Sequence, residues 1–586
     1  MNKKDVNLKK SYYVKKTIPY IKQEKGLFFI SILLILISAG INAFTPFVTK
    51  EILDNYLPDH NVKMIVYALI LYSILILLLA VFKYLFSYFN TLCGMRIERK
   101  IREEAMQKIN YLPVDYFSLE PDGKIVAKIT SDSAGVRTLY TTIFQIASAF
   151  TNILVVYIGL IIMDYHLGII ILAIVPIIGI WITLYRKKVH SYYLDLRETS
   201  SRITGKLNEL ITGTLLIQDY NIEDLMLNDY YTLCKKYVKA DIKANTVNAI
   251  FGWDLLVLIR RFAEIGLLMF LGANKLYSFG YVVSLGLISA LIENIEKMIS
   301  PINEIFNNLN ELEDSLVGCY RVYAFIGEEN DTRIFDGKEF NTELVGDVEF
   351  DHISFAYNKG FDVLKDVSLK VKAGSKIGII GHTGSGKSTL MNLLLGFNDY
   401  DSGRLLIDGV DLKEYNKASY RQNVGIILQT PAIFAGSIKS NVTMSREYSD
   451  EEVIEVLKLV GLDDIIKKYS EGIHTKISFR GENLSLGEKQ LICFARILLR
   501  NPKILVLDEA TANIDTETEL KIKHAIDYIS KDRTCFIIAH RLSTIKDADE
   551  IILLDHGVIK GRGKHEELYK NSLIYKDMYD SQFKNK

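Results

Sequence analysis

The sequence predicts an all-α six-helix transmembrane domain followed by an α/β domain of the P-loop type. Three observations carry this. Long runs without a charged residue crowd into the first half of the chain. A glycine-rich pattern suited to phosphate stands in the second half, between an apolar strand and a helix. Beyond it, a second apolar strand ends in two adjacent carboxylates.

At 586 residues the chain is too long for a single core. Seventy basic residues balance seventy acidic ones. A dedicated nucleic-acid binder carries a basic footprint, so that class is excluded. The hydrophobic fraction of 49% is distributed unevenly. Leu27 to Val48, Met64 to Phe82, Thr141 to Met163 and Leu167 to Tyr185 contain no charge. A helix crosses the hydrocarbon core with about 20 apolar residues. Buried helices of soluble domains rarely run so far uncharged, so these four read as spans.

Two further runs are interrupted. Phe279 to Ile292 meets Glu293, Glu296 and Lys297. Val247 to Ala273 contains Asp254, Arg260, Arg261 and Glu264. Both read as spans whose charges face a cavity or another helix, because lipid-facing charge is expensive. Arg260 and Glu264 have the i,i+4 spacing of a pair within one helix, and Asp254 and Arg261 lie two turns apart on one face.

The first apolar run is too long for the core of a secretory signal. Lys3, Lys4, Lys9, Lys10, Lys15 and Lys16 precede it, which places the N-terminus in the cytoplasm. Arg96, Lys100, Arg102 and Lys108 after the second span agree, as do Arg186, Lys187 and Lys188 after the fourth. An even number of spans returns the second half to the cytoplasm. Cys93, Cys234, Cys319, Cys493 and Cys535 are scattered and form no CxxC, which fits a reduced setting and offers no metal site. The expected organisation is a cytoplasmic segment 1–26, a transmembrane domain 27–315, a linker 316–344 and an α/β domain 345–586.

The chemistry lies in the last of these. Val348 to Phe355 and Val363 to Val371 read as short strands. Gly381-His382-Thr383-Gly384-Ser385-Gly386-Lys387-Ser388-Thr389 then follows an apolar strand and opens a helix. Its glycines let backbone N–H groups wrap phosphates, and the helix start adds positive potential. Lys387 is placed for the β- and γ-phosphates and Ser388 for Mg²⁺. Lys503 to Glu509 is a strand ending in two acids. Asp508 is placed to hold Mg²⁺ and Glu509 to activate a water against the γ-phosphate.

Here the sequence resembles the ATPases of ABC transporters. Tyr357 matches the aromatic residue that stacks on adenine, and Gln429 the glutamine that senses Mg²⁺. Leu484-Ser-Leu-Gly-Glu-Lys-Gln490, with Ser485 and Gly487, stands at the signature position. Asp515 matches the D-loop aspartate and His540 the switch histidine, and Gly557 to Leu568 resembles the domain's end. Tyr357 or His540 alone would read as a packed residue; the order of the set carries the match. Phe117, Gly123 and Asp132 resemble the first cytoplasmic loop of type-I exporters, and Glu209 to Glu223 the second coupling segment.

The resemblance implies an ABC-type ATPase domain fused to an exporter membrane domain, working as half of a dimer in the cell membrane. It implies ATP with Mg²⁺ held by Ser388, Gln429 and Asp508, and Glu509 and His540 as catalytic groups. A small hydrophobic or amphipathic compound is the expected cargo. Importers of this superfamily usually keep their two parts on separate chains. Export of peptides or lipids, an ATP-gated channel and a non-transporting sensor are the alternatives. The segment before Leu27 is too short for the protease domain that peptide exporters often carry.

One departure bears on the partner. The family signature reads LSGGQ, whereas this chain has Leu486 and Glu488 at the third and fifth positions. A side chain at 486 restricts the backbone, and Glu488 brings negative charge toward phosphate. The resemblance to one subunit of heterodimeric bacterial multidrug exporters therefore favours a heterodimer over a homodimer. The charges in the fifth and sixth spans have two readings, a polar lining of the substrate path or mutual pairing.

Overall fold

The computed structural model describes residues 10–583, apart from 173, 253–254, 256, 263, 267, 270–283, 332–333, 335–336, 339–343, 358–359, 509–515 and 540–541. Two compact units result, Met1–Gln107 with Gly123–Glu328, and Lys108–Asp122 with Glu329–Lys586.

The first unit is helical. In chain order the helices are α1 (Lys10–Gln23), α2 (Lys25–Glu51), α3 (Val62–Ile109), α4 (Val114–Leu119), α5 (Asp122–Ile129), α6 (Ser131–Met163), α7 (Tyr165–Leu172), α8 (Ile174–Thr212), α9 (Thr214–Asp219), α10 (Glu223–Phe251) and α11 (Leu285–Ile326). Of these, α4 belongs to the second unit. Among the described residues three helical stretches are long and apolar enough to cross a membrane: Lys25–Tyr56, Val62–Ile109 and Asp122–Met163. The run Leu167 to Tyr185 is helical on both sides of residue 173, which lies outside the described residues. Of the predicted fifth span, residues 253–254, 256, 263, 267 and 270–273, and of the sixth, residues 279–283, lie outside the described residues.

Helices outrun the apolar segments that announce them. At 1.5 Å per residue α3 is about 72 Å long, more than twice the hydrocarbon thickness of about 30 Å. Its polar half stays helical because Cys93, Ile97, Ile101 and Ala105 recur at i,i+4 and bury one stripe.

Helix α11 packs along α6 and α2, where Ala43, Val156, Leu160, Leu291, Ile295 and Ile299 share a core. Lower down, a Cβ on Gly135 would stand 3.1 Å from the Ser315 carbonyl oxygen and 3.2 Å from the Gly318 Cα. Small residues there let the two backbones approach.

The interrupting charges are paired. Lys297 Nζ donates to Glu293 Oε1 at 2.7 Å, to the Asn42 carbonyl at 2.9 Å, and to Thr45 Oγ1. Thr45 and Thr49 hydroxyls donate to the two Glu293 carboxylate oxygens at 3.3 Å each. Arg260 pairs with Glu264 and Glu296, and Arg261 with Glu264. Glu293 is therefore tied to α2, so for this residue the structure favours pairing over a free lining of a path. Asp254 lies outside the described residues.

The second unit is α/β. An antiparallel sheet has the order β2-β1-β4-β5, from β1 (Val348–Phe355), β2 (Leu364–Val371), β4 (Ser402–Ile407) and β5 (Val410–Asp411). A six-stranded sheet has the order β12-β11-β3-β10-β9-β6. Its strands are β3 (Lys376–Ile380), β6 (Val424–Ile427), β9 (Ile504–Asp508), β10 (Thr534–Ile538), β11 (Glu550–Asp555) and β12 (Val558–Gly563), and β7 (Gly436–Ser437) pairs with β8 (Lys476–Ile477) apart from it. All its pairings are parallel except β11 with β12. The four inner strands are almost wholly buried, which explains their predominantly apolar composition. Helices α12 (Lys387–Leu394) and α17 (Leu486–Arg500) flank this core; between them lie α13 (Lys417–Gln422), α14 (Ile438–Thr443), α15 (Asp450–Leu459) and α16 (Asp463–Lys468).

Candidate functional site

Open parallel sheets bind ligands beyond the carboxyl ends of their strands. Here β3 leads into the glycine-rich loop and β9 ends at Asp508. Strand β10 lies between them, with Ile538 opposite both Ile379 and Asp508. Strand β6, on the far side of β9, leads into Gln429. At about 4.8 Å between strands, the loop and Asp508 start about 10 Å apart. That is room for a phosphate chain and its counter-ion.

The loop is shaped by two glycines in the left-handed region. Gly384 has φ +83° and Gly386 φ +102°. A Cβ on Gly384 would meet nothing within 4 Å, so a ligand can reach its backbone. Gly381 is the opposite case: a Cβ there would fall 2.1 Å from the Leu554 carbonyl oxygen and 2.5 Å from Ser385 Oγ. Lys387, only 6% exposed, donates to the carbonyls of Gly381 at 2.7 Å and His382 at 2.9 Å. Its ammonium is thus held over the loop.

Polar groups around the loop fit a phosphate ligand. The buried Ser385 hydroxyl has no hydrogen-bond partner among the described residues. His382, Thr383 and Ser388 are exposed, Thr389 is buried, and Asp508 is half-buried. The Tyr357 hydroxyl lies 3.3 Å from Thr389 Oγ1, and its ring packs edge-on against Phe355 at 4.9 Å. This brings Tyr357 to the helix that follows the phosphate loop, with half its surface open for stacking. Glu509, Asp515 and His540 lie outside the described residues. They follow strands β9 and β10 in sequence.

The signature segment lies elsewhere in the unit. Ser485 caps α17, and Glu488 closes a reciprocal capping box with it. Gly487 is buried and Leu486 exposed.

Two contacts had no signal in the local sequence. Asn398 donates its side-chain N–H to the Asp115 carboxylate, anchoring α4 within this unit. Burial, and Asp399 nearby, push the Asp115 carboxyl above its usual range, against the opposing effect of that hydrogen bond. Lys417 pairs with Asp331 at 2.6 Å, both side chains being nearly buried. The partners are hundreds or tens of residues apart, so only the fold reveals them.

Residues 28–259 match the family described as ABC transporter transmembrane region, and residues 364–512 the family described as ABC transporter. The chain is 36% identical over 535 residues to a probable multidrug resistance ABC transporter ATP-binding/permease protein, YheH, of Bacillus subtilis; the match covers 91% of this chain and 79% of that one. It is 32% identical over 571 residues to exp8 of Streptococcus pneumoniae, a putative ABC transporter ATP-binding protein, covering 97% of each. A fatty acid ABC transporter ATP-binding/permease protein of Mycobacterium bovis is 30% identical over 481 residues, 82% of this chain and 75% of that one. Among solved structures, a bacterial Atm1-family ABC exporter with ATP bound superposes with a TM-score of 0.77 at 24% identity, covering 95% of this chain and 98% of that one.

Proposed function

The chain belongs to the ABC transporter family, with a transmembrane region and an ATPase domain on one polypeptide, and we propose that it is half of a dimeric, ATP-driven exporter of hydrophobic or amphipathic compounds. The observation that carries this reading is the alignment of the phosphate loop, β10, β9 and β6 along one sheet edge. Relatives named for multidrug resistance and for fatty acid support the substrate class.

Each side chain has a task in this reading. Lys387 and the loop N–H groups bind the phosphates, and Tyr357 stacks on the adenine. Ser388, Asp508 and Gln429 would hold Mg²⁺, which would neutralise charge between the β- and γ-phosphates. Glu509 orients the attacking water and His540 contacts the γ-phosphate side. Ser485 and Gly487 close over ATP held by the second subunit. Binding energy then shifts the membrane helices as rigid bodies, and hydrolysis resets them.

The second subunit is a different chain in this reading. Leu486 and Glu488 alter the signature that this chain lends, while its own phosphate loop keeps the full pattern. A homodimer would carry the alteration at both sites.

The test is ATP hydrolysis by the chain alone in lipid, beside Glu509→Gln and Lys387→Ala. Binding without turnover, restored by a partner with an LSGGQ signature, is the expected outcome. Brisk turnover by the chain alone, abolished in both variants, would replace the heterodimer with a homodimer. Turnover that survives both variants would overturn the assignment of the site.

A further inference from the structure

A cavity of about 420 Å³ opens between α2, α3, α6 and α11 of the membrane unit. Its lining is polar for a cavity walled by helices of the membrane unit. Lys83 from α3 and Glu304 from α11 both reach it, with Gln145 and Asn152 from α6 and Asn308 from α11; Phe86 adds an apolar wall.

The two charges differ from the paired ones described above. Glu293 and Lys297 neutralise each other, and Arg260 is matched by Glu264 and Glu296. Among the described residues Lys83 and Glu304 form no hydrogen bond and no ion pair, with each other or with anything else. Both lie at the same depth. Asp54, at the end of the first span, accepts the backbone N–H of Gly286 at 2.7 Å, so the start of α11 lies beside the segment that leads into α3. Each charge then lies about 30 Å along its helix from that end. That distance equals the hydrocarbon thickness of about 30 Å, so both stand near its far boundary, where charges inside a helix bundle are retained for pairing or for a ligand path. Opposite charges that share a cavity without pairing present a ligand with a fixed dipole, and amides between them accept and donate.

We infer that this cavity binds the headgroup of a zwitterionic amphipath, with the ligand's anionic group toward Lys83, its ammonium toward Glu304, and its tail along Phe86. The inference rests on the export reading and names the substrate class of that path. A purely cationic ligand meets repulsion from Lys83 and from Lys297 beyond it; a purely anionic one meets Glu304. Only a ligand carrying both charges satisfies both walls.

Direct binding separates this from the export reading. The assembled transporter, in nanodiscs of phosphatidylglycerol, is titrated below the micellar range with radiolabelled N-dodecyl-N,N-dimethylglycine, dodecyltrimethylammonium and dodecanoate. The zwitterion is expected to bind about tenfold tighter than either single-charge probe, a difference of about 1.4 kcal/mol. Lys83→Met should bring zwitterion and cation to equal affinity, and Glu304→Gln should do the same for zwitterion and anion. The charge swap Lys83→Glu with Glu304→Lys should restore the zwitterion's preference, and it keeps the test decisive if a single variant fails to fold. Equal binding of the three probes, or an unchanged ranking in both single variants, would overturn the inference. Competition by added phosphatidylethanolamine would make a bilayer lipid the natural source of the headgroup; no competition would make it a soluble amphipath. Loss of uphill transport with the binding pattern intact would count against export alone.

Discussion

The Glu488 carboxylate accepts the backbone N–H of Ser485 at 2.7 Å, and the Ser485 hydroxyl accepts the backbone N–H of Glu488 at 3.2 Å. The carboxylate is therefore committed to the start of its own helix. It satisfies a donor that a glutamine at the same position would also satisfy, while adding a charge the glutamine lacks. Glu488→Gln should leave the thermal midpoint unchanged. It should raise hydrolysis at the site this signature closes by about two- to tenfold, since a tenfold change in rate corresponds to about 1.4 kcal/mol. Glu488→Ala loses the box and should lower stability by about 1 kcal/mol. Thermal unfolding and ATP turnover of the assembled dimer distinguish the two.

Gly381 stands where the phosphate loop leaves the sheet, with the Leu554 carbonyl against its missing side chain. Gly381→Ala cannot be absorbed by a rotamer change, because the obstruction is backbone of the neighbouring strand. The loop or β11 must move, at a cost of about 3 kcal/mol. The variant is expected to lose ATP binding in equilibrium dialysis and to unfold at lower denaturant. Gly384→Ala meets open space and strains only its φ of +83°, so it should cost less, about 1 kcal/mol.

Asp115 links the short helix α4 to Asn398, itself a buried side chain. Burial penalises the ionised carboxylate. Asp115→Asn keeps an acceptor oxygen and removes the penalised charge, so stability should hold or rise. Asp115→Ala leaves the Asn398 amide unsatisfied and should cost about 1–2 kcal/mol. Because the folded carboxyl titrates above its ordinary value, the difference between wild type and Asp115→Asn should shrink as pH falls through that raised value. Denaturant titrations of the two proteins at several pH values check both statements.

What the sequence made legible was what is encoded locally. The phosphate loop is nine consecutive residues, and its strand-loop-helix setting follows from the apolar run before it and the helix after it. The expected strand Val348 to Phe355 coincides with β1, and Val363 to Val371 begins one residue before β2. The apolar runs marked three membrane-crossing helices but not their ends. Beyond Phe82, α3 is stabilised by a narrow buried stripe rather than by overall hydrophobicity. The partners of the charges were hidden for a different reason. Thr45 and Thr49 lie about 250 residues from Glu293, and no periodicity relates them. Lys83 carried a weak signal, as the first charge after an uncharged run, but its counterpart Glu304 is brought to the same cavity only by the packing of α11 within the unit.

The Glu293–Lys297 pair gives the sharpest test of that packing. It lies between α2 and α11 with the side chains about four-fifths buried, and two threonines complete the carboxylate's hydrogen bonds. Neutralising one partner leaves the other charge without compensation in a medium that solvates it poorly. Glu293→Gln should therefore destabilise the membrane unit by about 3–5 kcal/mol. The double variant Glu293→Gln with Lys297→Met removes both charges together and should recover most of that loss. A double-mutant cycle on thermal unfolding in nanodiscs measures the coupling. A free lining charge would give the opposite pattern: Glu293→Gln would shift cargo preference toward anions at unchanged stability, and Lys297→Met would add to it independently.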